Sequence, residues 1–280
     1  MQGASAKLLT APKTDAVFSA FDLHSAMDRN ELALDYQPQF DLDTGVLAGV
    51  EALVRWFHPC HGRLLPSQFV PTAERNGSIV EIGDWVLRRA CADHCTIQGL
   101  LGCDLVLSVN LSARQVFDRL LVDTVSAALR HSGLAPEHLR LELRESVLAN
   151  DDVVVLANLR ELQVLGVSIA ADDFGIGLSS LTGLTRLPVD AVKLDADLVS
   201  NILVDAKSLQ LTRAITHLAA EVGLTVMADG IESPAHIEIL REAGCRVGQG
   251  FSLGLPSTLN DMITGLQSNS TMSRPLRATH

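Results

Sequence analysis

Aromatic side chains are scarce: one Tyr, two Trp and eight Phe in 280 residues leave few stacking surfaces. Positive charge is also short. Lys and Arg total 22 against 33 Asp and Glu, for a net charge of −11. That balance excludes the basic footprint of a duplex nucleic-acid binder, and an anionic ligand has to be met by local cations or by bound metal. No apolar run reaches the ~18 residues of a membrane span. The opening "MQGASAKLLTAPKTDAV" lacks the apolar h-region of a signal peptide. The five cysteines, Cys60, Cys91, Cys95, Cys103 and Cys245, include no CxxC pair. They read as buried free thiols in a reducing, cytoplasmic setting rather than as a zinc site. No GxGxxG follows a strand-like run, so a dinucleotide-binding reading has no support.

What is present is apolar sequence, 47% of residues, enough for a sizeable core. β-rich runs alternate with helical ones. "ELALDYQPQFDL" and "GVLAGVEALVRWF" form a hairpin joined at Asp-Thr-Gly. Helices are expected at about 82–100 and 119–131, within "DVVVLANLRELQVLG", from Ser179, at about 206–222, within "PAHIEILREAG" and at 258–266. Strands are expected at "DLVLSVNLS", "LRLELRES", "VSIAADDF", "AVKLD", "LTVMADGI" and "RVGQGFS". Asn150 and Asp151 read as helix-capping candidates. A β-then-α order implies parallel strands with crossover helices. Seven or eight such units in roughly 250 residues favour an α/β fold of the (β/α)8 barrel type. Residues 1–20 read as a linker, 21–266 as the domain and 267–280 as a flexible polar tail.

The strands end in charge. Glu51, Asn110, Glu142 with Glu145, Asp172 with Asp173, Lys193 with Asp195, Asp229 with Glu232, and Gln249 all lie at probable C-terminal strand ends. In a parallel barrel those ends converge on the active face. So many acids in one mouth are expected to need divalent cations. Hard oxygen donors without His point to magnesium or manganese. Asp172 can bridge two ions while Asp173 completes the coordination of one, and two metals suit displacement at a phosphodiester. A single acid at a strand end is more often a cap or a solvated loop residue. Lys193 sits inside an apolar strand, where lysine is unusual. It has three readings: a Schiff-base nucleophile, a partner for Asp172, or a group that orients and deprotonates a water.

The motifs "EAL" (Glu51–Leu53), "NLS" (Asn110–Ser112), "ELRE" (Glu142–Glu145), "DDFG" (Asp172–Gly175), "VKLD" (Val192–Asp195), "ADGIES" (Ala228–Ser233) and "QGF" (Gln249–Phe251) occur in order. In this the chain resembles the EAL-domain proteins from about Phe21 to Pro256. The resemblance implies a modified (β/α)8 TIM-type barrel and a phosphodiesterase that opens cyclic di-GMP to linear pGpG with Mg²⁺ or Mn²⁺, two ions being expected. It implies metal ligation by Glu51, Asn110, Glu142, Asp172, Asp173 and Asp229, and a Lys193 that touches the nucleophilic water. Glu51, Lys193 and Asp229 are then the catalytic set. Gln37, Arg55, Asp195 and Gln249 would meet the dinucleotide, and Glu145 would brace the loop after Asp173. A homodimer and an upstream sensor or GGDEF domain outside this chain are implied by the same likeness, with no nucleic acid and no membrane segment.

The sequence departs from the family pattern at four places. Asp229 stands where Glu is usual. Ile176 and Leu178 replace Thr and Tyr in the loop. Arg144 replaces Thr, and Arg246 replaces an acid. Two hypotheses follow: an active phosphodiesterase, slow if Asp229 and the altered loop limit it, or a receptor that binds cyclic di-GMP without cleaving it.

Overall fold

A computed structural model describes residues 18–148, 152–175 and 188–268. Among them, β1 (Leu32–Asp41) and β2 (Leu47–His58) form the expected antiparallel hairpin. Six further barrel strands are β4 (Val106–Asn110), β5 (Leu139–Arg144), β6 (Ser168–Phe174), β7 (Ala191–Leu194), β8 (Thr225–Ala228) and β9 (Val247–Gly248). From β2 through β4 to β9 the neighbours are parallel, and β1 closes the ring by pairing antiparallel with both β2 and β9. The result is an eight-stranded closed barrel with one reversed strand. Two short strands, β3 (Gly62–Leu64) and β10 (Ser257–Thr258), extend β2 and β1 outside it.

The helices are α1 (Ala20–Asp28), α2 (Pro66–Asn76), α3 (Ile79–Leu101), α4 (Ala113–Val116), α5 (Leu121–Ser132), α6 (Glu145–Leu148), α7 (Val153–Leu165), α8 (Ala196–Asn201), α9 (Ala206–Glu221), α10 (Pro234–Glu242) and α11 (Leu259–Ser268). Phe18 is buried, and Ser19 caps α1 in a reciprocal capping box with Asp22. Asp152 caps α7, its carboxylate accepting from the Val154 and Val155 amides. Asn150 and Asp151 lie outside the described residues, as do the helix expected from Ser179 and the departures Ile176 and Leu178. The cysteine expectation needs correction. Cys91 and Cys245 are buried, but Cys95 is half-buried and Cys60 and Cys103 are exposed. No helix among the described residues is long and apolar enough to cross a membrane.

Period-two patterning sorts each strand into two faces. In β5, Leu139, Leu141 and Leu143 are wholly buried against the helices, while Glu142 lies between them on the inner face. Likewise Val192 and Leu194 flank Lys193, and Leu107 and Val109 flank Ser108. Each buried leucine contributes about 1.5–3 kcal/mol. The apolar core therefore lies between barrel and helices, and the inside of the barrel carries the polar side chains.

Candidate active site

Lys193 occupies the centre of the mouth, 2% exposed. Its Nζ donates to Glu142 Oε2 at 2.7 Å and to Glu51 Oε2 at 2.9 Å, and lies 3.8 Å from Asp172 Oδ1. Glu51 also accepts from Asn110 Nδ2 on Oε1 at 2.6 Å and from Gln249 Nε2 on Oε2 at 2.5 Å. Glu142 Oε1 is buried without a hydrogen-bond partner. Asp229 has its Oδ1 turned back onto the Gly230 amide at 2.6 Å.

The electrostatics follow from this crowding. Burial acts to raise the pKa of Glu51, but the Lys193 charge and the hydrogen bonds from Gln249, Lys193 and Asn110 outweigh it and hold the carboxyl below its ordinary value. Glu142 is pushed up by burial, which exceeds the attraction of Lys193. Asp172 is pushed up to about 7, first by burial and, against the pull of Lys193, by repulsion from Glu142, Glu51 and Asp173. Asp229 is raised by burial, with Lys193 opposing. Burial disfavours charged Lys193, yet Glu142, Glu51, Asp172 and Asp229 hold it well above its ordinary value.

Two adjacent aspartates on a strand should face opposite ways. Here Asp173 adopts φ +57°, and the pairing of β6 with β7 shifts register between Ala171 and Phe174. A non-glycine residue in the left-handed region is uncommon, and such outliers cluster at functional sites. The irregularity leaves Asp173 lining the same mouth that Asp172 approaches from inside. Asp173 is half-exposed and lies 3.5 Å from Arg144 Nε.

A cavity of about 1070 Å³ opens above Glu51, Asn110, Glu142, Asp173 and Asp229. Arg144 lines it, and an apolar wall from α2 and α3 includes Val70, Ile79 and Ile82. The remaining expected contacts are placed differently. Arg55 is 4% exposed and donates from Nε to Asp35 at 2.8 Å; Arg63 shares that aspartate. Gln37, opposite Glu51 in register, donates to the Gly254 carbonyl at 3.2 Å. Asp195 caps α8 through Oδ1, on the Asp197 and Leu198 amides. Glu145 opens α6 with Oε2 buried and unpartnered; the loop it is expected to brace lies outside the described residues.

The donor set suits a hard divalent cation: clustered carboxylates, one amide and a buried unpartnered Glu142 oxygen. Yet no group of three or more His, Cys, Asp or Glu side chains among the described residues is arranged to hold a metal ion as it stands. Lys193 gathers Glu51 and Glu142 onto itself. This corrects one expectation: divalent ions are not the sole counter-charge of the acidic mouth, because lysine already balances part of it.

Residues 21–256 match the EAL domain. The chain belongs to the EAL-domain family. It is 40% identical over 245 residues to the bifunctional diguanylate cyclase/cyclic di-GMP phosphodiesterase MucR of Pseudomonas aeruginosa, covering 88% of this chain and 36% of that protein. It is also 40% identical over 239 residues to the cyclic di-GMP phosphodiesterase NbdA of the same organism, covering 85% and 30%. This EAL chain thus spans about a third of the length of these relatives. The solved structure of the PaMucR phosphodiesterase in complex with c-di-GMP superimposes with a TM-score of 0.82 at 40% identity, covering 86% of this chain and 98% of that one.

Sequence reading overlooked Asp35, Gln39 and Ser108. The alternation of Asp35, Gln37 and Gln39 along "LDYQPQF" was the available signal, since it marks a polar inner face on β1.

Proposed function

We propose that this EAL domain hydrolyses one phosphodiester bond of cyclic di-GMP to give pGpG. The observation that carries the proposal is the convergence of Glu51, Glu142 and Asp172 on Lys193, with the two glutamates lining a cavity large enough for a dinucleotide. Glu51, Asn110, Glu142, Asp172, Asp173 and Asp229 are the residues that would hold divalent cations, two by the family likeness. When bound there, Mg²⁺ or Mn²⁺ neutralises phosphate oxygens and acidifies a water. Lys193, hydrogen-bonded to both glutamates, fixes their carboxylates and presents a positive charge to the reacting oxygen. Gln249 and Asn110 hold the two oxygens of Glu51. Arg144 on the cavity wall offers a cation to an entering anionic ligand. By the family likeness, Gln37, Arg55 and Asp195 are candidate ligand contacts; each has an internal partner and none is among the residues that line the cavity. A homodimer and an upstream signalling domain complete the proposal.

One observation favours the alternative receptor reading: the short Asp229 is held on its own backbone by Gly230. The deciding assay is incubation of purified protein with cyclic di-GMP and Mn²⁺ or Mg²⁺, followed by chromatography. Formation of pGpG, abolished in Asp172→Asn, is expected. Saturable binding with no pGpG over hours would leave the receptor reading standing.

A further inference from the structure

Inside the barrel a chain of side-chain hydrogen bonds runs from β4 to the mouth. Ser108 Oγ donates to Gln39 Oε1 at 3.4 Å, Gln39 Nε2 donates to Gln249 Oε1 at 2.7 Å, and Gln249 Nε2 donates to Glu51 Oε2 at 2.5 Å. Gln39 is 1% exposed and Gln249 2% exposed.

The direction of this chain is dictated by charge. An ionised Glu51 only accepts, so Gln249 has to present its NH₂ group to it. The Gln249 carbonyl oxygen then points away, into a buried space, and needs a donor. Gln39 supplies that donor, and its own carbonyl takes the Ser108 hydroxyl. Space for Gln39 is kept by Gly49, its neighbour in register on β2. A Cβ on Gly49 would lie 3.2 Å from Gln39 Oε1 and would collide with the Val106 carbonyl.

We propose that Gln39 is a positioning residue, which fixes the Gln249 amide with its NH₂ group on Glu51 and thereby holds the Glu51 carboxylate in place for cation binding. Only the last clause rests on the phosphodiesterase reading. Gln39 has no hydrogen bond to Glu51 itself; its effect passes through Gln249.

The test is a double-mutant cycle on the full chain with Gln39→Met, Gln249→Met and the double variant. Mn²⁺ affinity is read by calorimetry. Urea unfolding is read in parallel in EDTA, where neither cation nor turnover is needed. Gln39→Met is expected to weaken Mn²⁺ binding on the order of tenfold, as loss of a partner behind a ligand does. The double variant should bind no more weakly than Gln249→Met alone, and the two shifts in unfolding midpoint should be less than additive. Wild-type Mn²⁺ affinity in Gln39→Met, or independent, additive losses in either readout, would overturn the proposal. If the wild type neither binds Mn²⁺ nor cleaves cyclic di-GMP, the phosphodiesterase reading fails, and the unfolding cycle still decides whether Gln39 acts through Gln249. Should Gln39→Met fail to fold, Gln39→Asn, which keeps an amide but shortens its reach by a methylene, carries the same expectations.

Discussion

Replacing Lys193 with Met removes a buried ammonium that two carboxylates share and leaves Glu51 and Glu142 facing each other. At 2.7 and 2.9 Å, each contact has a Coulomb energy of about 6 kcal/mol at an effective dielectric constant near 20. Desolvation of lysine and acids offsets much of this. Removing one partner of a buried ion pair then destabilises by about 3–5 kcal/mol. For a domain of this size that is a fall in Tm of roughly 6–20 °C. The loss depends on pH. Burial already raises Glu142, and without Nζ it rises further. A folded-state carboxyl pKa above the unfolded value means that the folded state holds the extra proton between the two. Stability is therefore greatest at acid pH and falls as pH rises, by about 1.4 kcal/mol per unit per group across that window. The variant should be close to wild type near pH 5 and much weaker at pH 8. Differential scanning fluorimetry in EDTA from pH 5 to 8 makes the measurement. Saturating Mn²⁺ should restore part of the lost stability by supplying the missing charge. A Tm within 2 °C of wild type at pH 8, or a deficit that ignores pH, would falsify the view that Lys193 holds the acids together.

Three other outcomes are expected. Because Asp172 is raised to about 7, Mn²⁺ uptake should release close to one proton below that pH and almost none from this group above it; calorimetry in two buffers of different ionisation enthalpy measures this, and pH-independent affinity from 5.5 to 7 would contradict it. Asp229→Glu should raise turnover several-fold if the short side chain, held on Gly230, limits the reaction; an unchanged or lower rate would count against that account. Arg144→Thr should leave stability within about 0.5 kcal/mol, because its pair with Asp173 is half-exposed, and should strengthen Mn²⁺ binding by freeing Asp173; an unfolding titration and a Mn²⁺ titration check the two halves.

The barrel was legible because its signals are local and repeated. Leu139, Leu141 and Leu143 alternate with Arg140 and Glu142, and that pattern states strand, face and direction at once. The acids at the strand ends were legible for the same reason. Other features depended on contacts distant in sequence. That Lys193 pairs with Glu51 and Glu142 requires three strands to be placed, 142 and 51 residues apart. The Asp35 partner of Arg55 was hidden because a sequence names a cation without naming what neutralises it. The left-handed turn at Asp173 breaks the period on which the reading relied, so no periodicity argument could find it. The exposure of Cys60 and Cys103 was misjudged because composition describes residue types, not loop positions.

The two-faced strands also tie correct folding to competence. Were β5 to slip by one residue, a leucine would replace Glu142 in the mouth, and the carboxylate would be driven among the helices. Such a misaligned chain would lose its solvent-shielded leucines and its acid together. Proofreading of the site is thus done by the hydrophobic layer: a molecule that packs well enough to survive has, by the same alignment, aimed its acids inward.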